Sequence, residues 1–291
     1  MMTSEMGRRD FVRQGSALGV AAMLESTLAC RVGETPAVAA KMPTIKLGAL
    51  EVSRLILGSN QFWGYAHQPG TAAADMKAYY TDERIMATLD EAASHGITAL
   101  ASPPEQRWLP LFAKYREGGG KLRLWIAQPH GKPEQMKEEI TLAVKGGAQA
   151  VFIQGGRADE QFAKGRMDVL REWVEHIKSL GVPAGMAAHN PAVHLEAEKQ
   201  GFPTDFYFQC FYRPENYLAE DRAKAVETIR QIEKPVVGYK ILAAGRLAAE
   251  EGFTFAFKHL HRKDGVCVGV YPKDRPGEIS ENAQLARKLT A

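Results

Sequence analysis

The chain has 291 residues, 45% of them hydrophobic and 24% charged, and a formal charge of +3 from 37 basic and 34 acidic side chains. Those proportions exclude a disordered chain and a multi-span membrane protein, and no basic stretch is dense enough to track nucleic-acid phosphates. The cysteines, Cys30, Cys210 and Cys267, form neither a CxxC pair nor a disulfide framework, which argues against a structural zinc site.

Residues 1–40 read as an address. Arg8-Arg9-Asp10-Phe11-Val12-Arg13 resembles a twin-arginine export signal, and an apolar run over 17–24 follows that is too short to span a bilayer. Pro36-Ala37-Val38-Ala39-Ala40 supplies small residues where a signal peptidase cuts. Thr27-Leu28-Ala29-Cys30 loosely resembles a lipoprotein box with Cys30 as the lipid acceptor. The expected division is an export signal over 1–40, read by the export machinery, and one folded domain over 41–291 in the periplasm or outside the cell. Twin-arginine export carries folded proteins, often around a cofactor.

From Lys41 onward short apolar runs alternate with helical patterns, and glycines mark the joints. A small hairpin turns at Gly48-Ala49, and residues 54–58 (RLILG) form the first internal strand. Thr81 caps a helix with Ile85, Leu89 and Ala92-Ala93 at helical spacing, stopped by Gly96. Strands follow at 97–101, 122–127, 150–154, 183–188, 206–211, 235–239 and 266–270. Helices are expected at 105–116, 132–144, 167–180, 191–199, 223–232, 247–261 and 281–289. A doubly wound open sheet would place a Gly-rich phosphate turn after its first strand, and Gly58-Ser59-Asn60-Gln61-Phe62 does not fit GxGxxG. Eight strand–helix alternations in about 250 residues predict an α/β fold, a single (β/α)8 TIM barrel with an N-terminal β-hairpin.

Active sites of such barrels lie at the carboxyl ends of the strands. Those positions hold Trp63, Tyr65 and His67 after strand one, Gln128 and His130 after three, Gln154 and Arg157 after four, and His189 and Asn190 after five. Gln209 and Tyr212 end strand six, Lys240 strand seven, and Tyr271 and Lys273 strand eight. The mouth reads as aromatic and cationic, with no carboxylate at a strand tip, which favours an anionic or polyhydroxylated ligand.

The segment Leu47-Gly48-x-Leu50-Glu51-Val52-Ser53-Arg54-Leu55-x-Leu57-Gly58 resembles the N-terminal hairpin and first strand of the aldo-keto reductase superfamily. Gln209-Cys210-Phe211-Tyr212 is similar to that family's strand-six motif, whose glutamine meets the nicotinamide amide. His189-Asn190 stands where Ser-Asn is usual. The run from Tyr239 to Leu247 resembles the strand-seven motif near the pyrophosphate, and Glu281-Asn282 the closing pair near the adenosine. The resemblance implies a small carbonyl or sugar substrate and bound NADP(H), held by Asn190, Gln209, Tyr212, Leu242, Gly245, Arg246, Lys273, Glu281 and Asn282. The family's catalytic tetrad of Asp, Tyr, Lys and His is not matched. Ala101 stands for the Asp, Gln128 or Pro129 for the Lys and Gln154 for the His, and the loop over 102–108 has no Tyr.

Other residues must then move protons. His130 and His189 are the expected acid–base groups. Alternation places Gly238 and Lys240 on one face of strand seven and Val237 and Tyr239 on the other, which predicts that Lys240 points into the mouth. There it can bind an anion, act as a base or form a Schiff base. Trp63, Tyr65 and His67 are expected to cover a sugar ring or a flat cofactor. Gln128, Gln154 and Arg157 join them as substrate contacts, and no metal ligand set is expected. Cys210, beside an inward Gln209, is expected to face the helices. The expectation is an exported aldo-keto-reductase-like enzyme with a non-standard proton donor. The alternatives are a non-redox lyase, aldolase or isomerase using Lys240 and the histidines, and a non-catalytic binding barrel.

Overall fold

The computed structural model describes residues 41–65 and 72–290; residues 1–40, with the export reading and Cys30, lie outside the described residues, and so does His67. A hairpin comes first, β1 (Thr44–Leu47) and β2 (Leu50–Ser53), paired antiparallel and followed by β3 (Leu55–Gly58). Then α1 (Ala72–Tyr79) and α2 (Asp82–Ser94) lead to β4 (Ala99–Ser102), and α3 (Trp108–Glu117) to β5 (Leu124–Ala127). Next come α4 (Met136–Lys145), β6 (Ala150–Ile153), α5 (Gly155–Ala163), α6 (Met167–Ser179) and β7 (Ala184–Ala188). The chain ends through α7 (Ala192–Lys199), β8 (Phe206–Cys210), α8 (Ala219–Ile229), β9 (Val236–Tyr239), α9 (Ala249–His259), β10 (Gly265–Gly269) and α10 (Glu278–Thr290).

Strands β3 to β10 are all parallel and close into a barrel, with β10 pairing β3. This is the expected (β/α)8 architecture with its hairpin. The strands are buried on both faces because helices cover the outside and side chains fill the inside. Ile56, Ala99, Ala101, Ile126, Ala150, Phe152, Ala187, Phe206, Phe208 and Val237 form the interior. Ile45, Leu47 and Val52 of the hairpin pack into that same cluster, so the hairpin plugs the amino-terminal end of the barrel. Gly185 is required there, since a Cβ would sit 2.3 Å from the Phe206 ring.

Two helices were not expected. α1 follows the loop after β3. α5 begins at Gly155-Gly156, a pair that disfavours a helix, yet the Gln154 side chain caps the helix by accepting from Arg157 N at 2.9 Å. Gly155 is needed because a Cβ would lie 2.8 Å from Tyr239 Oη and 3.4 Å from His189 Cε1.

Candidate active site

A cavity of about 820 Å³ opens at the carboxyl ends of the strands. That is within the range of small-molecule sites. Its floor is apolar: Phe152 and Phe208 stack with ring centres 4.1 Å apart and planes 4° from parallel, beside Ala101 and Ala187. Gln128, His130, Gln154, His189, Tyr239 and Lys240 supply polar groups around it. Ala101, Gln128 and Gln154 thus bring no acid or base to the positions of the missing tetrad.

His189 follows β7 and its ring is held by a carboxylate. Asp159, on α5, approaches Nδ1 at 2.8 Å and accepts the backbone N–H groups of His189 and Asn190 at 3.1 and 3.0 Å. Those contacts place the Nδ1 proton on the Asp159 side and leave Nε2 for a ligand. The expectation of no carboxylate at a strand tip is unaffected, but a carboxylate reaches the mouth from a helix. Asp159 escaped notice because it sits one turn into the unexpected α5, not at a strand tip.

His130 is held mainly through its backbone. Its N–H and that of Gly131 donate to Glu139 of α4, at 3.2 and 2.5 Å, and its carbonyl accepts from Arg157 Nε at 3.0 Å. Its Nε2 lies 3.4 Å from Glu105 Oε1, the atom to which the Tyr65 hydroxyl donates. Arg157, expected on substrate, instead clamps His130 and pairs with Glu160.

Lys240 lines the cavity by a different route from the expected one. Val237 and Tyr239 are the inward residues of β9, whereas Gly238 faces the helices, where a Cβ would meet the Phe211 ring at 2.7 Å. The strand ends at Tyr239 and Lys240 adopts φ 56°, a left-handed turn that carries its side chain back to the cavity. Burial lowers its ammonium from 10.5 to about 8. Tyr239 donates to Ala188 O at 3.1 Å, its ring centre 5.9 Å from that of His189. Cys267 also lines the cavity, and burial pushes its thiol up to about 12.

Strand β8 is likewise turned by one residue from expectation. Phe206 and Phe208 face in, so Gln209 faces the helices, fully buried, with Oε1 2.9 Å from His194 Nδ1 and Nε2 donating to Cys210 O. Cys210 takes the inward side near Tyr239 and Lys240, where burial raises its thiol to about 12. A Gln209→Leu variant is expected to lose about 1–3 kcal/mol of stability, because His194 is left without its partner. Urea unfolding and ligand affinity test this together. Weaker binding at unchanged stability would return Gln209 to the site.

Of the residues expected around a nicotinamide dinucleotide, Leu242 and Gly245 line the cavity. Asn190 Oδ1 accepts from Ala192 N at 3.1 Å in the turn before the next helix, and Tyr212 is buried against Arg222. Arg246 stacks 3.9 Å over the Tyr217 ring and donates to Ala243 O, while Lys273 is exposed beside Asp75. Glu281 pairs with Arg275, and Asn282 is buried in the face of α10. At that end the Glu278 carboxylate lines the cavity, accepts Tyr271 N–H and is raised to about 7 by burial. A carboxylate already fills the start of α10, where a phosphate would otherwise dock. Arg275 lines this end of the cavity beside Glu278, and of the residues expected for NADP(H) only Leu242 and Gly245 line it. Trp63, expected over the ligand, packs edge-on against Trp108 in the core, whereas Tyr65 stands at the rim.

No protein-family model matches the sequence, and no curated protein matches it. Solved structures do. A Pseudomonas aeruginosa protein assigned to the aldo-keto reductases aligns with TM-score 0.61 at 16% identity, over 85% of this chain and 96% of that one. The holo form of an aldo-keto reductase from Bacillus halodurans gives 0.54 at 16% identity, over 86% and 97%. Orotidine 5'-monophosphate decarboxylase from Methanocaldococcus jannaschii gives 0.51 at 14% identity, over 82% and 99%. At these identities the likeness shows the fold: a (β/α)8 barrel similar to that of the aldo-keto reductases, and also to that of a decarboxylase.

Proposed function

We propose that this protein is an enzyme that moves a proton on a small carbonyl or sugar compound held in the barrel-mouth cavity, without hydride transfer. The His189–Asp159 pair carries the reading. A histidine that lines an open-mouthed cavity with one nitrogen against a carboxylate is built to take and return a proton through the other, because the carboxylate stabilises the imidazolium that forms. Lys240 meets the carbonyl oxygen, and the apolar floor of Phe152 and Phe208 strengthens its effect on the negative charge that develops there. Gln128 and Gln154 hydrogen-bond the hydroxyl groups of the compound.

The place of action follows from residues 1–40, read as a twin-arginine signal: the periplasm or the cell exterior. A periplasmic enzyme that needs no diffusible nicotinamide is consistent with that address.

Oxidoreductase-like turnover is the second reading, and the fold supports it through its likeness to aldo-keto reductases. The Tyr239 ring, Leu242 and Gly245 in the cavity wall are the residues that favour it here. Titration of the mature protein with NADPH, read by fluorescence, separates the two. No binding below millimolar is expected, and no nucleotide on denaturation. Micromolar binding, or nucleotide released from the purified protein, would replace the first reading with the second.

A further inference from the structure

The cavity holds a second carboxylate-backed histidine, and its position relative to the first has a chemical consequence. His189 follows β7, His130 follows β5, and β6 lies between them in the closed barrel. Neighbouring strands are about 4.8 Å apart, so the two tips are separated by roughly 10 Å. That gap suits a short carbon chain lying across the tip of β6, where Gln154 stands. Each imidazole faces a carboxylate through one ring nitrogen, His189 through Nδ1 to Asp159 and His130 through Nε2 to Glu105.

Nothing in the packing of the barrel demands the second arrangement. The His130 side chain is 40% exposed at the rim, yet Glu139 and Arg157 fix its backbone from both sides. Gly131 allows this clamp, since a Cβ there would lie 2.4 Å from Glu139 Oε2. Tyr65 holds the Glu105 oxygen that faces the imidazole. The backbone that carries this exposed imidazole is thus held from both sides, and Glu105 meets the ring at 3.4 Å. The ring projects at the cavity rim from a fixed base, as a group placed for a ligand does.

We infer that the cavity is a two-base site, in which His189 and His130 address opposite faces of the carbon beside a carbonyl, and that its substrates are α-hydroxy carbonyl compounds of the sugar class undergoing epimerisation. This rests on the proton-transfer reading above. His189 Nε2 takes the proton as the C–H bond breaks. The electron pair forms the C=C bond of an enolate, whose oxygen carries its charge against Lys240. His130, protonated at the start, delivers its proton to the other face as the C–H and C=O bonds form again. The product has the inverted configuration, and no oxidant or reductant is consumed. The reverse turnover starts from the opposite protonation states, and solvent exchange restores the first.

The test uses the mature protein in D2O with D-glyceraldehyde, dihydroxyacetone, D-glucose, D-mannose and D-fructose, followed by proton NMR against a heat-inactivated control. Wild-type protein is expected to exchange the α-proton of at least one compound and to invert that centre. Inversion is seen as a diastereomer by NMR for D-glucose, D-mannose and D-fructose and by chiral chromatography for D-glyceraldehyde, with dihydroxyacetone reporting exchange alone. His130→Gln is expected to keep exchange within about threefold, because His189 still removes and returns the proton, while inversion falls by about 100-fold or more. Glu105→Gln, a gentler change, is expected to slow inversion in the same sense. Inversion at the wild-type rate in His130→Gln, or exchange and inversion falling together in folded protein, would overturn the two-base step. Calorimetric binding of these compounds distinguishes the levels of failure. Saturable binding lost in Lys240→Met, without exchange in wild type, overturns the two-base step and leaves the site assignment standing. No binding of any compound removes both.

Discussion

Replacing His189 by Gln is expected to lower kcat by about 10²–10⁴-fold, with a much smaller change in KM. The size follows from the role: a positioned acid–base group acts in the transition state, so its loss appears in kcat and not in the ground-state complex. Asp159→Asn is expected to cost less, about 10–100-fold, because the imidazole remains but loses the charge that fixes its tautomer and stabilises its protonated form. The ring would be free to present the wrong nitrogen. Steady-state kinetics on a compound bound by the cavity measures both, with circular dichroism to show that Asp159→Asn still folds, since Asp159 also holds two backbone N–H groups. A His189→Gln protein within threefold of wild-type kcat would remove this residue from the mechanism. It would also leave the cavity without the group on which the proposed chemistry depends.

The barrel was legible because its signals are long-range and redundant. Eight apolar runs, the helical patterns between them and glycines at the joints all point to one architecture, so the error of a residue at any boundary does little harm. The site was less legible because it depends on which face each residue takes. A shift of one residue exchanges the two faces of a strand. In β8 the shift turned Gln209 from an expected nicotinamide contact into a buried partner of His194. In β9 it brought Tyr239 into the cavity, and Lys240 reached the cavity through a left-handed residue that alternation does not foresee. Aromatic residues stand on both faces of β8, Phe206 and Phe208 on one and Tyr207 and Phe211 on the other, so the pattern alone does not choose the inward face.

The carboxylates were hidden for another reason. Asp159, Glu105 and Glu139 come from a helix, a loop and another helix, and each reaches its histidine only through tertiary packing. No spacing in the chain links Asp159 to His189, thirty residues on. A glycine pair disfavours a helix, yet the crowding of Tyr239 and His189 against Gly155 explains why no larger residue stands there. A glycine pair directly after a barrel strand therefore carries two meanings. Here it marks close approach at the mouth of the barrel.

Lys240 should show the opposite effects on stability and activity. Its ammonium falls from 10.5 to about 8 because burial penalises the charged form. Below pH 8 both folded and unfolded chains carry the proton, and the folded protein bears the net cost that remains after attraction to Cys210 and Glu215 offsets part of the burial, on the order of 3 kcal/mol at ~1.4 kcal/mol per tenfold change in acidity. Between pH 8 and 10.5 the unfolded chain binds more protons than the folded one, so this contribution becomes more favourable as pH rises. Above 10.5 it vanishes. Lys240→Met, an unbranched side chain one atom shorter and without the charge, is therefore expected to be more stable than wild type by about 2–3 kcal/mol at pH 7, with the difference shrinking towards pH 11. The same variant is expected to lose about 10²–10³-fold in kcat, since the enolate oxygen loses its cation. Urea unfolding of both proteins at several pH values, alongside kinetics, measures the pair of effects. A variant less stable at pH 7 would mean that Lys240 is a structural ion-pair member. Equal activity would mean that the cavity works without it. Gain of stability together with loss of turnover is the outcome expected of a lysine kept for chemistry at a cost to the fold.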